Sequence, residues 1–191
     1  MDALTARFKT FDNDNGGRSP GEKHDTMITR TAKLLLVAAV ALFYTLVVFN
    51  NLTDFNSNYQ FVRHVLMMDS TFPGNHGMWR ALPSSAFHMV FYISIIAWEA
   101  ATMILLWWGV VRLMRALRLP AARFHLAKRV PVMALTLSML MWLVAFLTIG
   151  AEWFLMWQSH AWNGQEPAFR MFAVVGLVLL ILIQPESETQ P

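Results

Sequence analysis

The sequence predicts an all-α membrane protein: a four-transmembrane-helix antiparallel bundle with a short amphipathic helix in the first outer loop. Three observations carry this. Only 14% of the 191 residues are charged, against about a quarter in a soluble domain, too few for a surface that meets water on every side. The charges are also clustered: over 34–49, 86–111 and 130–151 Glu99 is the only one. Finally, thirteen Met, eight Trp and fourteen Phe suit helix interfaces and membrane boundaries.

Taken in order, residues 1–29 are polar and lack a sustained period, so a disordered tail is expected. Met27, just before Arg30 and Lys33, would serve as an alternative start, leaving 1–26 outside the native chain. The first span is expected over 31–49. Its basic front and apolar middle resemble a signal peptide, but 48–52 offers no small-x-small cleavage site, so it reads as an uncleaved anchor. In the loop that follows, Phe61, Val62, Val65 and Leu66 recur at helical spacing and mark the amphipathic helix. Phe72-Pro73-Gly74-Asn75 makes a turn, and Ser84 or Ser85 is placed to cap the next helix. The second span is expected over 86–111. A basic connector broken at Pro120 leads to the third, over 130–157. Asn163-Gly164 marks a second turn, and Pro167 is tolerated in the first turn of the fourth span, 168–183. A short acidic tail follows Pro185.

Basic residues set the orientation. The N-terminal stretch carries Arg7, Lys9, Arg18, Lys23, Arg30 and Lys33, and the middle connector six more, whereas the opposite side has only Arg63, Arg80 and Arg170. The positive-inside rule places both termini and the connector in the cytoplasm. Trp79, Trp153, Trp157 and Trp162 then form an outer aromatic belt. The pI near 9.6 does not imply nucleic acid, because the excess charge flanks the apolar runs. With no cysteine, a disulfide framework, thiolate catalysis and Cys-bound zinc or iron–sulfur centres are excluded.

Glu99 is the residue of most interest. Thirteen residues into the second span, it lies about 20 Å along a helix rising ~1.5 Å per residue. A charge there is costly, so the carboxyl must be neutral, paired or in a wet cavity. At 100° per residue, His88, Tyr92, Glu99 and Thr102 share an arc of about 80°. This intramembrane polar stripe reads either as a pocket or proton path, or as a Glu99 bonded to a neighbouring helix and fixing the bundle. Nothing ionisable continues it before Arg112, which argues against a full relay. Glu152, near the outer end of the third span, is expected to pair with Arg80 or Arg170. His64, His76, His160 and Glu166 lack a ligand spacing, and a haem needs two intramembrane histidines where only His88 is near a span. No metal and no cofactor are therefore assigned, and no phosphate loop, nucleophile elbow or His-Glu-x-x-His run is present. Gly109, Gly150 and Gly176, one per helix on spans two to four, permit close helix approach.

Several stretches resemble a bacterial family of predicted small integral membrane proteins, domain of unknown function 2165. They are 46–54, 65–74, Ala97-Trp98-Glu99-Ala100, 150–158, Trp162-Asn163-Gly164-Gln165 and Phe169-Arg170-Met171. The likeness covers about 27–185. It implies a four-span inner-membrane protein and carries no activity. The expected function is a non-enzymatic accessory or assembly partner of a membrane complex. The rival is a small transporter or proton-coupled channel around Glu99. The partners implied are the lipid bilayer and either another membrane protein or a second copy of this chain.

Overall fold

The computed structural model describes residues 20–186, with side chains from residue 27 onward. The expectations for 1–19 and 187–191 lie outside the described residues. Six α-helices follow one another: α1 (Pro20–Thr53), α2 (Phe55–Met67), α3 (Ser85–Ala116), α4 (Ala121–Ala127), α5 (Arg129–Leu140) and α6 (Gln165–Ile183). A π-helical segment, Met141–Trp153, continues α5, and short 3-10 turns lie at Met78–Arg80 and Met156–Gln158. Among the described residues there is no strand.

Four stretches are long and apolar enough to cross a membrane: Met27–Thr53, Ser85–Ala116, Ala121–Trp153 and Gln165–Ile183. They alternate in direction, with α3 packed between α1 and α5, and α6 closing on α1, α5 and the π segment. Two ends result: a terminal end, where α1 begins and α6 finishes, and a cap end, formed by 54–84 and 154–164. The outer skin is apolar, with Leu35, Leu42 and Leu46 on α1, Val90, Ile93 and Ile104 on α3, and Leu177 and Leu180 on α6. The inside holds Asn51, Glu99, Thr102 and Ser138. Apolar groups outside and polar groups bonded within is the arrangement that lipid as solvent demands.

Several bounds differ from the sequence reading. Residues 20–29 are helical rather than disordered, because α1 starts at Pro20. At its other end α1 runs through Asn50 and Asn51, read above as loop, to Thr53. One residue later α2 begins, at Phe55 rather than near 60, and its amphipathic face buries Val62, Val65 and Leu66. The connector after α3 is not plain loop but contains α4. Ser84 precedes α3 in extended backbone without a side-chain cap; its carbonyl accepts from the amides of Phe87 and His88 instead.

The third span is not one α-helix. From Met141 it widens to bonds five residues apart, as in Phe154 N–H to the Ile149 carbonyl at 3.0 Å. The Thr148 hydroxyl reaches back to the Leu143 carbonyl at 2.9 Å. Such segments are rare and cluster at functional sites. An apolar run reads as helix whichever winding it adopts, so the sequence pattern gave no warning. The segment ends at Trp153, and Leu155, with a left-handed φ of 53°, turns the chain into the cap.

The cap is held by polar backbone contacts over an apolar floor. Leu82 N–H meets the Leu66 carbonyl at 2.8 Å, Phe72 N–H the Gln158 side chain at 3.1 Å, and Ser70 the hydroxyl of Ser159 at 2.7 Å. Val65, Leu66, Met68, Phe154 and Met156 form the floor, and a longer core through Val37, Tyr44, Leu106, Leu135, Val175 and Leu182 runs down the bundle. Two glycines set helix distances. A Cβ on Gly109 would sit 2.8 Å from the Pro131 Cβ, and one on Gly164 2.7 Å from the Phe61 ring. Only glycine lets α3 meet α5, and the start of α6 meet α2, that closely.

Candidate functional site

Helical periodicity assembles the site. The buried face of α3 reads His88, Tyr92, Glu99, Thr102, Leu106, Gly109, Leu113 and Ala116. On α1, Val37, Ala41, Tyr44, Val48 and Asn51 are buried at spacings of four and three, which is again one helical face. Antiparallel packing of the two faces brings Asn51 against Glu99.

Asn51 is the hub. Its Nδ2 donates to Glu99 Oε2 at 2.5 Å. Its Oδ1 accepts from the Tyr92 hydroxyl at 3.1 Å and from Asn58 Nδ2 at 2.7 Å. Asn51 and Glu99 are 5% and 4% exposed, while Asn58 on α2 is exposed. A hydrogen-bonded line therefore runs from the surface of the cap to a buried carboxylate. Beside it lies a cavity of about 320 Å³ lined by Asn51, Asn58, Tyr92, Glu99, Trp142 and Phe146, among others. Trp142 and Phe146 come from the π segment, so the widened helix forms one wall.

All four stripe residues of α3 are buried, but they do not form one chain of bonds. Tyr92 and Glu99 share Asn51. His88 Nε2 lies 2.6 Å from the Leu82 carbonyl. A carbonyl only accepts, so Nε2 carries the proton; His88 Nδ1 is buried without a partner. Thr102 donates to the Trp98 carbonyl of its own helix at 2.9 Å.

Below Glu99 a second group closes the site. The Tyr44 and Ser138 hydroxyls are 2.6 Å apart, and Trp142 Nε1 donates to Tyr44 at 3.0 Å. Beyond them the α3 face is Leu106, Gly109, Leu113 and Ala116. From Tyr44 down to Lys33 on α1 is roughly 16 Å at 1.5 Å per residue without a polar step. The polar contacts thus run from the cap end to Ser138 and stop there.

The ion pair expected at Glu152 does not form. Glu152 is exposed and makes no ion pair among the described residues. Arg80 turns to the backbone, 3.0 Å from the Trp153 carbonyl and 3.5 Å from that of Glu152, and stacks over Trp79 and Trp153. Arg170 pairs with Glu166 one turn away on α6, at 3.0 Å. Carbonyls freed where the π segment stops are nearer and fixed, and an i,i+4 partner costs Arg170 little side-chain entropy. Among the described residues no group of three or more His, Asp or Glu could hold a metal. His64 instead bonds Asp69 at 2.7 Å and stacks on Trp162 at 4.6 Å.

A further cluster at the terminal end was missed. Arg30, Lys33 and Lys128 are 4%, 2% and 3% exposed and converge on Glu186, at 3.4, 2.7 and 2.5 Å. Burial pushes the Glu186 carboxyl up, but the hydrogen bonds and charges of Lys128 and Lys33 outweigh it and hold it below its ordinary 4.5. These lysines read in the sequence as topology markers.

An apolar skin and four spans around a few buried polar groups define a small multi-pass integral membrane protein. The chain belongs to the family described as predicted small integral membrane protein (DUF2165), whose model matches residues 29–185. No curated protein and no solved structure matches it.

Proposed function

We propose that this protein is a non-enzymatic accessory component of a membrane complex, working through the pocket around Glu99. The observation that carries the reading is the cavity lined by one buried carboxyl, Glu99, held by Asn51. It offers a place to bind a cationic or hydrogen-bond-donating group, with no nucleophile–base pair beside it to turn that group over. Exposed Trp79, Phe72, Met78 and Trp157 on the cap supply a surface for a protein partner or a second copy of the chain. Extraction at native expression in mild detergent, followed by native mass measurement, tests this. The protein should run in an assembly; recovery as a lone monomer would refute the reading.

A second reading is a small transporter or proton-coupled channel. It draws on Glu99 facing a cavity and is opposed by the apolar floor beneath Tyr44. Liposomes holding the wild type or Glu99→Gln decide it: a proton or ion flux present in the first and lost in the second would replace the accessory reading.

The same proposal sets the protein in a bacterial inner membrane with both termini and the α3–α4 connector cytoplasmic. The supporting feature is charge: Arg112, Arg115, Arg118, Arg123, Lys128 and Arg129 near one end against Arg63, Arg80 and Arg170 near the other. A phosphatase reporter fused after Trp162 should be active and one at Leu119 silent; the reverse would invert the orientation.

A further inference from the structure

At the terminal end, three buried cations face one carboxylate among the described residues. Lys33 and Lys128 both approach Glu186 Oε1, and Arg30 approaches Oε2. Both ammonium groups also donate to the Gln184 carbonyl, at 2.9 Å and 2.7 Å. Arg30 is fixed from behind by the Leu117 and Leu119 carbonyls, at 3.0 and 2.7 Å. The Phe124 ring lies 4.8 Å from the Arg30 guanidinium and 5.6 Å from the Lys128 ammonium.

Two features of this geometry are unusual for a plain structural ion pair. Among the described residues the charge does not close: three basic side chains face one carboxylate in a place where unpaired charge is strongly unfavourable. The acceptors other than the Leu117 and Leu119 carbonyls also share one source. Glu186 Oε1, Glu186 Oε2 and the Gln184 carbonyl oxygen form a set of three, all from the short segment after α6 ends at Ile183. When that segment moves, all three oxygens leave together and the cations, which sit on α1 and at the α4–α5 junction, stay.

We propose that Arg30, Lys33 and Lys128 form a binding site for a phosphomonoester-type phosphoryl group, and that residues 184–186 are a tethered stand-in that keeps it shut. A phosphoryl group brings three acceptor oxygens and a charge of about −1.5 to −2 near neutral pH; in place of Glu186 it equals the oxygen count and lowers the positive excess. Arg and Lys on phosphate make charge-assisted bonds, with Arg supplying a planar fork. Exposed Arg112, Arg115 and Arg123 around the neighbouring groove draw anionic groups to the same end. Two sources share this chemistry: inorganic phosphate and a lipid with a monoester headgroup.

The test uses the full chain in phosphatidylcholine nanodiscs. Inorganic phosphate is titrated by calorimetry, and in a second arm the discs are doped with phosphatidic acid and thermal stabilisation is read. A tethered competitor acts at millimolar effective concentration, so Glu186→Gln should bind at least about tenfold tighter than the wild type. Adding Lys128→Met to Glu186→Gln should erase the gain. A response to inorganic phosphate in the first arm identifies a free anion as ligand, and one to phosphatidic acid alone identifies lipid. No tightening in a folded Glu186→Gln protein overturns the proposal, as does a gain that survives Lys128→Met. Glu186→Ala serves as the second opening variant. If neither variant folds, the carboxylate is an obligatory strut and the proposal fails.

Discussion

Asn51→Leu keeps the branched shape of the side chain and removes every polar contact it makes. Glu99 Oε2 then loses the 2.5 Å donor. The Tyr92 hydroxyl keeps only its longer contact to the Asn51 carbonyl, at 3.4 Å. Exposed Asn58 bonds water instead and contributes nothing. A buried group stripped of its partner costs about 1–3 kcal/mol. One full loss and one partial loss give a destabilisation of about 2–4 kcal/mol on that scale. Glu99→Leu leaves the Asn51 amide unmatched and costs about 1–3 kcal/mol for the same reason. The double variant removes both members, so the two effects should fall short of additive. Interhelical hydrogen bonds in membranes average about 0.6 kcal/mol and reach about 1.7, and a carboxylate acceptor puts this one in the upper part, about 1–2 kcal/mol. Reversible unfolding in mixed micelles, read by helical circular dichroism, supplies the four stabilities of the cycle. Strict additivity, or an Asn51→Leu cost below about 0.5 kcal/mol, would show that Asn51 does not hold the site.

The remaining expectations are shorter. The Glu186 carboxyl is held below its ordinary value, so its contribution to stability is complete above about pH 4.5 and fades as acid titrates the folded carboxylate. Glu186→Gln should flatten that acid limb in a thermal-melt series against pH, and an unchanged limb would contradict the pairing. Gly109→Val forces branched carbon into a site where even a Cβ lies 2.8 Å from Pro131. A loss of about 1–3 kcal/mol is expected, and a melting point equal to wild type would mean the α3–α5 contact is not close. Glu152→Ala removes an exposed carboxylate and leaves Arg80 on its backbone carbonyls. Its stability should stay within about 0.5 kcal/mol of wild type, and a larger loss would restore the ion pair the sequence suggested.

The bundle was legible because span length and charge clustering depend on the solvent alone. The buried face of α3 was legible too, since His88, Tyr92, Glu99 and Thr102 follow one period. The α1 half of the site carried the same signal: Asn51 continues the spacing of Val37, Ala41, Tyr44 and Val48. Ending the span at 49, where the apolar run stops, hid it. Counting depth along α3 alone also misled. Glu99 is central in its own helix but level with the last turn of α1, so it sits where bundle meets cap. The π winding and the Glu186 cluster were not legible. The first changes bonding without changing the apolar pattern, and the second joins residues more than 150 positions apart.

That separation has a consequence for how the chain is made. Arg30 and Lys33 emerge from the ribosome early, and the carboxylate that compensates them is synthesised 156 and 153 positions later. Until then α1 holds two cations without that acceptor. The contact between α1 and the segment after α6 is thus the last of these to become possible as the chain is made.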